Sequence, residues 1–361
     1  MILGACTYNV HFTDCAVRCT TDVGCPEGLS CEAEGFCRTP SAAGTCTAVL
    51  ETPPSCAGRP QLCGPSSDED CCSTAAPISG GTFFRGYDVA SDGMYPSTSY
   101  PATVSPFTLD RFEVTVGRFR AFVEAGIGTR ANPPPAGAGS RVLNGSLEQG
   151  GWDPSWNAIL AADTNALFAA IKCDASFQSW TDIPNANEEL PINCVTWYEA
   201  FAFCAWDGGF LPTESEWNYV ATGGDEQRAY PWSTPASSLT IGCAYANYNN
   251  GGYCVNSPNG AVNRVGSTSP KGDGKYGQAD LAGNVFEWTL DWFTSLNSVC
   301  DDCANLSETS LRVLRGGGWD NLLTDVRTNY RLDRVPSLRH RAVGVRCAKY
   351  IHPTTASTSA W

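Results

Sequence analysis

The sequence predicts an α+β fold with little regular secondary structure, preceded by a small disulfide-rich region. Three observations lead there. The 361 residues include 11 Trp, 13 Tyr and 15 Phe beside 36 Gly and 23 Pro, the balance of a core made by aromatic packing between many turns rather than by long helices. Hydrophobic residues make up 42% of the chain and charged ones 17%, enough apolar material for at least one large core. The 19 Cys are unevenly spread: Cys6, Cys15, Cys19, Cys25, Cys31, Cys37, Cys46, Cys56, Cys63, Cys71 and Cys72 crowd the first fifth, and the others are scattered.

Thiols rarely accumulate in a reducing cytosol without a metal to hold, so this many cysteines point to an oxidising, extracellular or cell-surface location. With only His11, His340 and His352, zinc-finger arithmetic fails, and only Cys300 and Cys303 have the CxxC spacing of a cysteine-only site. Disulfides are the better account. The net charge of −14 would repel phosphate backbones and anionic bilayers, which excludes nucleic acid as an expected partner. No apolar run approaches the roughly 18 residues of a membrane span. Leu3-Gly4-Ala5-Cys6 looks like a bacterial lipobox, whose cysteine is lipidated, but five residues cannot be a signal peptide. Either the true start lies upstream or the match is accidental. Setting Cys6 aside leaves an even number of cysteines that can pair completely, which favours a lipoprotein anchored through Cys6.

Residues 1–77 show almost no apolar periodicity, and the Cys25-Pro-Glu-Gly-Leu-Ser-Cys31 spacing followed by Cys37 resembles the short cysteine modules of secreted bacterial proteins. Such a segment folds by covalent staples and reads as a stalk or spacer. From Ile78 the pattern changes to strand-like runs, and a domain is predicted over 78–352, with 353–361 a tail. Thr115 N-caps a helix whose Val116, Phe119, Phe122 and Val123 recur at helical spacing, ending at Gly126. Thr196–Glu199 and Thr213–Glu216 are capping boxes that open two further helices, closed by Gly208 and Gly223. Residues 127–190, rich in Pro, Gly, Ala and Asn, read as a long insertion loop.

Six segments, in order, carry a family resemblance: Phe107-Thr-Leu-Asp-Arg-Phe-Glu-Val-Thr115, Pro191-Ile-Asn-Cys-Val-Thr-Trp197, Leu211-Pro-Thr-Glu-Ser-Glu-Trp217, Gly283-Asn-Val-Phe-Glu-Trp288, Arg315-Gly-Gly-Gly-Trp319 and Val343-Gly-Val-Arg-Cys347. Together they resemble the formylglycine-generating enzyme (sulfatase-modifying factor) family over about residues 78–350. The resemblance implies that family's variant of the C-type lectin fold, though fold alone does not settle function. The family's enzymes bind Cu(I) through two cysteines lying two and seven residues after the motif Trp. Here those places hold Asn321 and Val326, and the Ser before that Trp is Gly318. Neither an amide nor an isopropyl group ligates soft Cu(I), so copper and the family's catalysis are not expected. Cys300 and Cys303 lie just before this strand and offer thiolates from another direction, although a structural disulfide is their expected fate. Superfamily relatives that use three-histidine iron are excluded because the histidines lack the spacing.

The resemblance further implies calcium at the Gly-Asn-x-x-Glu-Trp motif, held by the carboxylates of Asp280 and Glu287 and the carbonyls of Gly283 and Val285, hard donors that suit the ion. A second family site, begun by Asn247 and Tyr248, lacks a counterpart for its later Asp. The resemblance pairs Cys204 with Cys347; it assigns none of the domain's remaining six cysteines, for which sequence order offers Cys173 with Cys194, Cys243 with Cys254 and Cys300 with Cys303. Non-catalytic relatives display a variable ligand-binding face after the Arg-Gly-Gly-x-Trp motif. Here that face would use Trp319, Asn321, Asn329, Tyr330, Arg331, Arg339 and His340, a mixed polar and aromatic set. The expected function is a non-catalytic, surface-exposed binding or scaffold domain with a protein, peptide or glycan ligand. The alternatives are an oxidoreductase acting on a protein or peptide side chain through another site, and a structural cell-surface component.

Overall fold

The computed structural model describes residues 30–31, 37–38, 46–48, 53–57, 62–73, 77–87, 89–90, 98–143, 146–255, 260–296, 299–349 and 353–355. Cys6 lies outside them. The chain divides into two compact units, residues 1–51 with 351–361, and residues 52–350. In the first unit, Ser30–Cys31 pairs with Cys37–Arg38, and Cys46–Ala48 pairs with Pro353–Thr355, both antiparallel. The last strand therefore takes part in the small unit instead of trailing as a tail.

The packing boundary falls at 51/52 and not at 77/78. A short 3-10 helix, Pro54–Cys56, places the Ser55 N–H on Asp207 Oδ1 at 2.9 Å, and the Ser55 hydroxyl accepts from the Arg118 Nε–H at 3.0 Å. Disulfides Cys56–Cys72 and Cys63–Cys71 fold the following segment back, and Cys63 and Cys71 are buried with Phe112, Val265 and Ala279. Sequence periodicity cannot detect such a segment, because its burial comes from staples and polar anchors.

Among the described residues, four α-helices organise the larger unit: α1 (Val116–Glu124), α2 (Thr164–Ala170), α3 (Trp197–Trp206) and α4 (Glu214–Ala221). Thr115 caps α1 by accepting from the Arg118 N–H, and both capping boxes are formed, Thr196 with Glu199 and Thr213 with Glu216. The apolar stripe of α1 (Val116, Phe119, Phe122, Val123) enters a core shared with α3, each large side chain contributing roughly 1.5–3 kcal/mol of burial. Residues 127–190 depart from the expected loop: they contain α2, a 3-10 turn at Pro154–Ile159 and a hairpin of Arg141–Leu143 with Ser146–Gln149. They also bury Trp152, Leu160, Leu167, Ile171 and Trp180 in that same core. Widely spaced tryptophans between prolines carry no helical or strand period, so the packing was invisible to pattern reading.

A four-stranded sheet lies at the centre, in the order Leu332–Arg334, Arg312–Arg315, Phe286–Trp292, Val343–Gly344. Phe286–Trp292 runs antiparallel to Arg312–Arg315, with Glu287 opposite Arg315, and parallel to Val343–Gly344. It is buried along its whole length, and the Trp197 and Trp288 indoles close its margins by donating to the Thr289 and Val195 carbonyls. A second sheet has the order Cys300–Asp301, Pro101–Val104, Gly81–Phe84, and Ala348–Lys349 pairs with Thr108–Leu109.

The domain's cysteines form Cys204–Cys347, Cys173–Cys194, Cys243–Cys254 and Cys300–Cys303. Their contributions differ because loop closure differs. With separations of 143 and 3 residues, Cys204–Cys347 restrains the unfolded chain by about 5 kcal/mol and Cys300–Cys303 by only about 2 kcal/mol.

Candidate functional site

The turn from Asp280 to Glu287 is coiled by left-handed residues, with φ of 57° at Asp280, 85° at Gly283 and 64° at Asn284. Gly283 is required there, since a Cβ would sit 2.3 Å from the Asn247 carbonyl oxygen. Asn284 holds the turn from inside: its amide donates to Glu113 Oε2 at 2.6 Å and its oxygen accepts from the Asn263 N–H and the Asn247 amide. Glu113, Asp280 and Glu287 are all buried here. Glu287 is saturated: Arg346 donates to both its oxygens, and the Trp217 indole reaches Oε2 at 2.7 Å. Asp280 Oδ2 accepts from the Gly266 N–H. Burial pushes the Asp280 carboxyl up to about 6, and burial together with Asp280 and Glu287 pushes Glu113 well above the usual carboxylate range. Three carboxylates thus face one guanidinium.

Sequence pattern does not single out Glu113: it stands between Phe112 and Val114, but Asp110 and Arg111 in the same run are charged as well. Asn247, proposed to begin a second calcium site, spends its amide on the Ala261 carbonyl and Asn284, while Tyr248 is buried among Tyr230, Ala246, Ala282 and Val326. Among the described residues no group of three or more His, Cys, Asp or Glu side chains is arranged to hold a metal ion, so a cation at the 280–287 turn would lean on carbonyl oxygens. The donor set fits a hard cation in charge and in chemistry; Glu287, already saturated, would serve by its charge.

The Arg315–Trp319 segment turns at Gly316 and Gly317, with φ of 95° and 76°. Val326 packs on Gly317, where a Cβ would lie 2.5 Å from Val326 Cγ1, and a Cβ at Gly318 would lie 2.8 Å from that of Ala342. Glycine at 318 therefore follows from Ala342 opposite it. Asn321 accepts from the Gly318 N–H at 3.2 Å and turns toward a cavity of about 230 Å³. Its floor is Phe286, Leu314, Leu332, Leu338 and Val343, and its polar edge is Asp320, Asn321, Tyr330, Arg334 and His340. The two degenerate positions have parted company: Asn321 faces this cavity, and Val326 is sealed in the aromatic cluster behind it.

Only part of the expected ligand face is a face. Asn321, Tyr330 and His340 line the cavity. Trp319 is buried against Phe177 and Tyr253, and Asn329 is buried, its carbonyl accepting from Arg315. Arg331 points the other way, into a buried pair with Glu214 at 2.5 Å. Arg339 is clamped on Glu199 at 2.5 Å and on the Cys194 carbonyl. An alternating polar and aromatic stretch looks exposed in sequence, but arginines with buried acids to meet turn inward.

A larger cavity of about 390 Å³ is lined by the Glu214–Arg331 pair with Arg85, Asp291 and Cys303, and by Leu296, Val299 and Leu306. Against burial, the guanidinia of Arg331, Arg315 and Arg85 hold Glu214 below the usual carboxylate range, whereas burial and the Glu214 charge push Asp291 up to about 6.

The family model of the sulfatase-modifying factor enzyme 1-like domain matches residues 64–351. The inactive C-alpha-formylglycine-generating enzyme 2 of Mus musculus is 26% identical over 295 residues, covering 75% of this chain and 84% of its own. The formylglycine-generating enzyme of Streptomyces coelicolor is 28% identical over 342 residues, covering 86% and 99%. Among solved structures, PvdO from Pseudomonas aeruginosa superposes with a TM-score of 0.51 at 20% identity, over 81% of this chain and 100% of its own, and shares the fold. Since the match runs from residue 64 to residue 351, well over half of the chain, this protein belongs to the sulfatase-modifying factor enzyme 1-like family.

Proposed function

We propose that this is an extracellular or cell-surface binding domain, without the family's copper-dependent catalysis, whose ligand is a protein or peptide segment seated in the cavity beside Asn321. The observation that carries this reading is the cavity itself: an aliphatic and aromatic floor with a hydrogen-bonding edge, at the position where the family's enzymes place a copper-binding thiolate. A bulky apolar side chain fills such a floor, while Asn321, Tyr330 and His340 meet the adjoining backbone. Relatives named as inactive belong to the same family, and the disulfides suit an oxidising compartment. Among the described residues no helix is long and apolar enough to cross a membrane.

A calcium ion at the 280–287 turn belongs to this reading, using Asp280 and the carbonyls of Gly283 and Val285, with Glu287 adding negative charge. Its support is the buried excess of carboxylates over the one guanidinium of Arg346. Isothermal titration of calcium into the chelator-treated protein is expected to give one site, lost in Asp280→Asn; no heat of binding in the wild type overturns this part of the reading.

The test of function is a peptide library and a glycan array probed with wild-type protein and with Leu338→Arg, which fills the floor with charge. Peptide binding in the wild type that is lost in the variant supports the proposal. Glycan binding without peptide binding, or oxygen-dependent conversion of a Cys-containing peptide, overturns it.

A further inference from the structure

We propose that Cys300–Cys303 is a redox-active disulfide that accepts two electrons from a dithiol peptide entering the larger cavity. This site is distinct from the cavity beside Asn321 and does not depend on the ligand proposed for it.

The two sulfurs have unlike surroundings. Cys303 lies on the cavity wall, half-buried, with Arg85 Nη1 3.5 Å from its sulfur. Cys300 is sealed at 4% exposure, and its sulfur lies 3.3 Å from the Ser215 hydroxyl in the first turn of α4. The Ser215 hydroxyl lies between the sulfurs, nearer Cys300 than Cys303 (3.3 against 3.9 Å), and the guanidinium stands beside Cys303; the hydroxyl with its helix N-terminus, and the guanidinium, both favour thiolate. The acids facing the same cavity are Glu214, neutralised by Arg331 at 2.5 and 2.7 Å, and Asp291, which accepts from the Glu214 and Asn305 N–H groups. Closing a loop across three residues restrains the unfolded chain little, so stability gives weak reason for this bond to be there. At the mouth, Val299 is 75% exposed and Leu306 36%, an apolar edge for a peptide.

The accessible sulfur sets the direction of exchange. A partner thiolate attacks Cys303 Sγ, the S–S bond breaks, and the electron pair leaves on Cys300, where the Ser215 hydroxyl donates to the new thiolate. The partner's second thiolate then attacks its own sulfur in the mixed disulfide and releases Cys303 as a thiolate beside Arg85. The partner loses two electrons and two protons and becomes a disulfide; the pair becomes two cysteines. A small disulfide such as oxidised glutathione reverses both steps.

The full-length protein is equilibrated in glutathione buffers of graded ratio, alkylated and mapped by mass spectrometry, with circular dichroism followed alongside. Expected is opening of Cys300–Cys303 in the folded protein while Cys204–Cys347 stays closed, with glutathione on Cys303. Cys300→Ser, which leaves Cys303 free, reacts with a disulfide probe at least about tenfold faster than Cys303→Ser, which leaves the sealed Cys300. In Cys300→Ser, adding Arg85→Gln raises the pH midpoint of that reaction by about one unit, roughly tenfold in rate at neutral pH. If Arg85→Gln does not fold, the comparison of the two single variants decides. A bond that opens only as the fold is lost, glutathione found on Cys300, or equal rates for the two single variants overturns the proposal.

Discussion

Arg346 grips both carboxylate oxygens of Glu287, at 2.8 to 3.1 Å, where neither side chain is more than 1% exposed. Its remaining donors reach the Asp110, Arg111 and Ala279 carbonyls, so one guanidinium joins the C-terminal segment to two loops and to the central strand. Removing it leaves Glu113, Asp280 and Glu287 without a counter-charge. Arg346→Met is expected to lose roughly 3–5 kcal/mol in urea unfolding, the usual cost of orphaning a buried charge. Calcium should recover part of that loss, and an unchanged midpoint would contradict this account of the pair.

The second prediction compares covalent staples. Replacing Cys204 and Cys347 together by Ala should remove about 5 kcal/mol of loop-closure restraint, against about 2 kcal/mol for the Cys300 and Cys303 pair, before packing losses are counted. Thermal melts of the two double variants rank them directly, with the first melting far lower.

Acid titration should expose Asp291. Its folded carboxyl stands at about 6 against an ordinary 3.8, so between those values the folded state binds more protons than the unfolded one. Stability from this group is therefore greatest below pH 4, falls as pH rises toward 6, and is flat above. Asp291→Asn should abolish that component, on the order of 2 kcal/mol across the window, while losing one acceptor for the Glu214 or Asn305 N–H. The difference between wild-type and variant urea midpoints from pH 4 to 7 measures it; a difference that does not change with pH contradicts the assignment.

Asn321→Cys and Val326→Cys should behave oppositely toward a maleimide. The first thiol opens on the cavity and labels in the folded protein; the second, fully buried, labels only with unfolding, at least about a hundredfold more slowly. Mass spectrometry against the wild-type background counts the added label, and equal rates would show that the two positions still share one chamber.

Local chemistry was legible in the sequence where it repeats at short range. The Thr caps and glycine stops predict α1, α3 and α4, and the family resemblance, counted from Trp319, singles out Asn321, which lines a cavity. Long-range choices were not legible. Arg331 and Arg339 turn inward because Glu214 and Glu199, more than a hundred residues earlier, offer buried carboxylates. Trp152 and Trp180 look like parts of a loop until α1 and α3 supply a surface to bury them. Ser55 meets Arg118 and Asp207 through hydrogen bonds that no hydrophobic pattern encodes.

Asp207 also has a geometric consequence. Ser55 near the entry of the larger unit and Lys349 near its exit both reach this one carboxylate, at 2.9 and 3.6 Å. Start and finish of the unit are therefore neighbours, so it is built as a cassette that a host loop a few residues wide can carry without being pulled apart. Grafted between two such host residues, residues 53–349 should fold with their native disulfides.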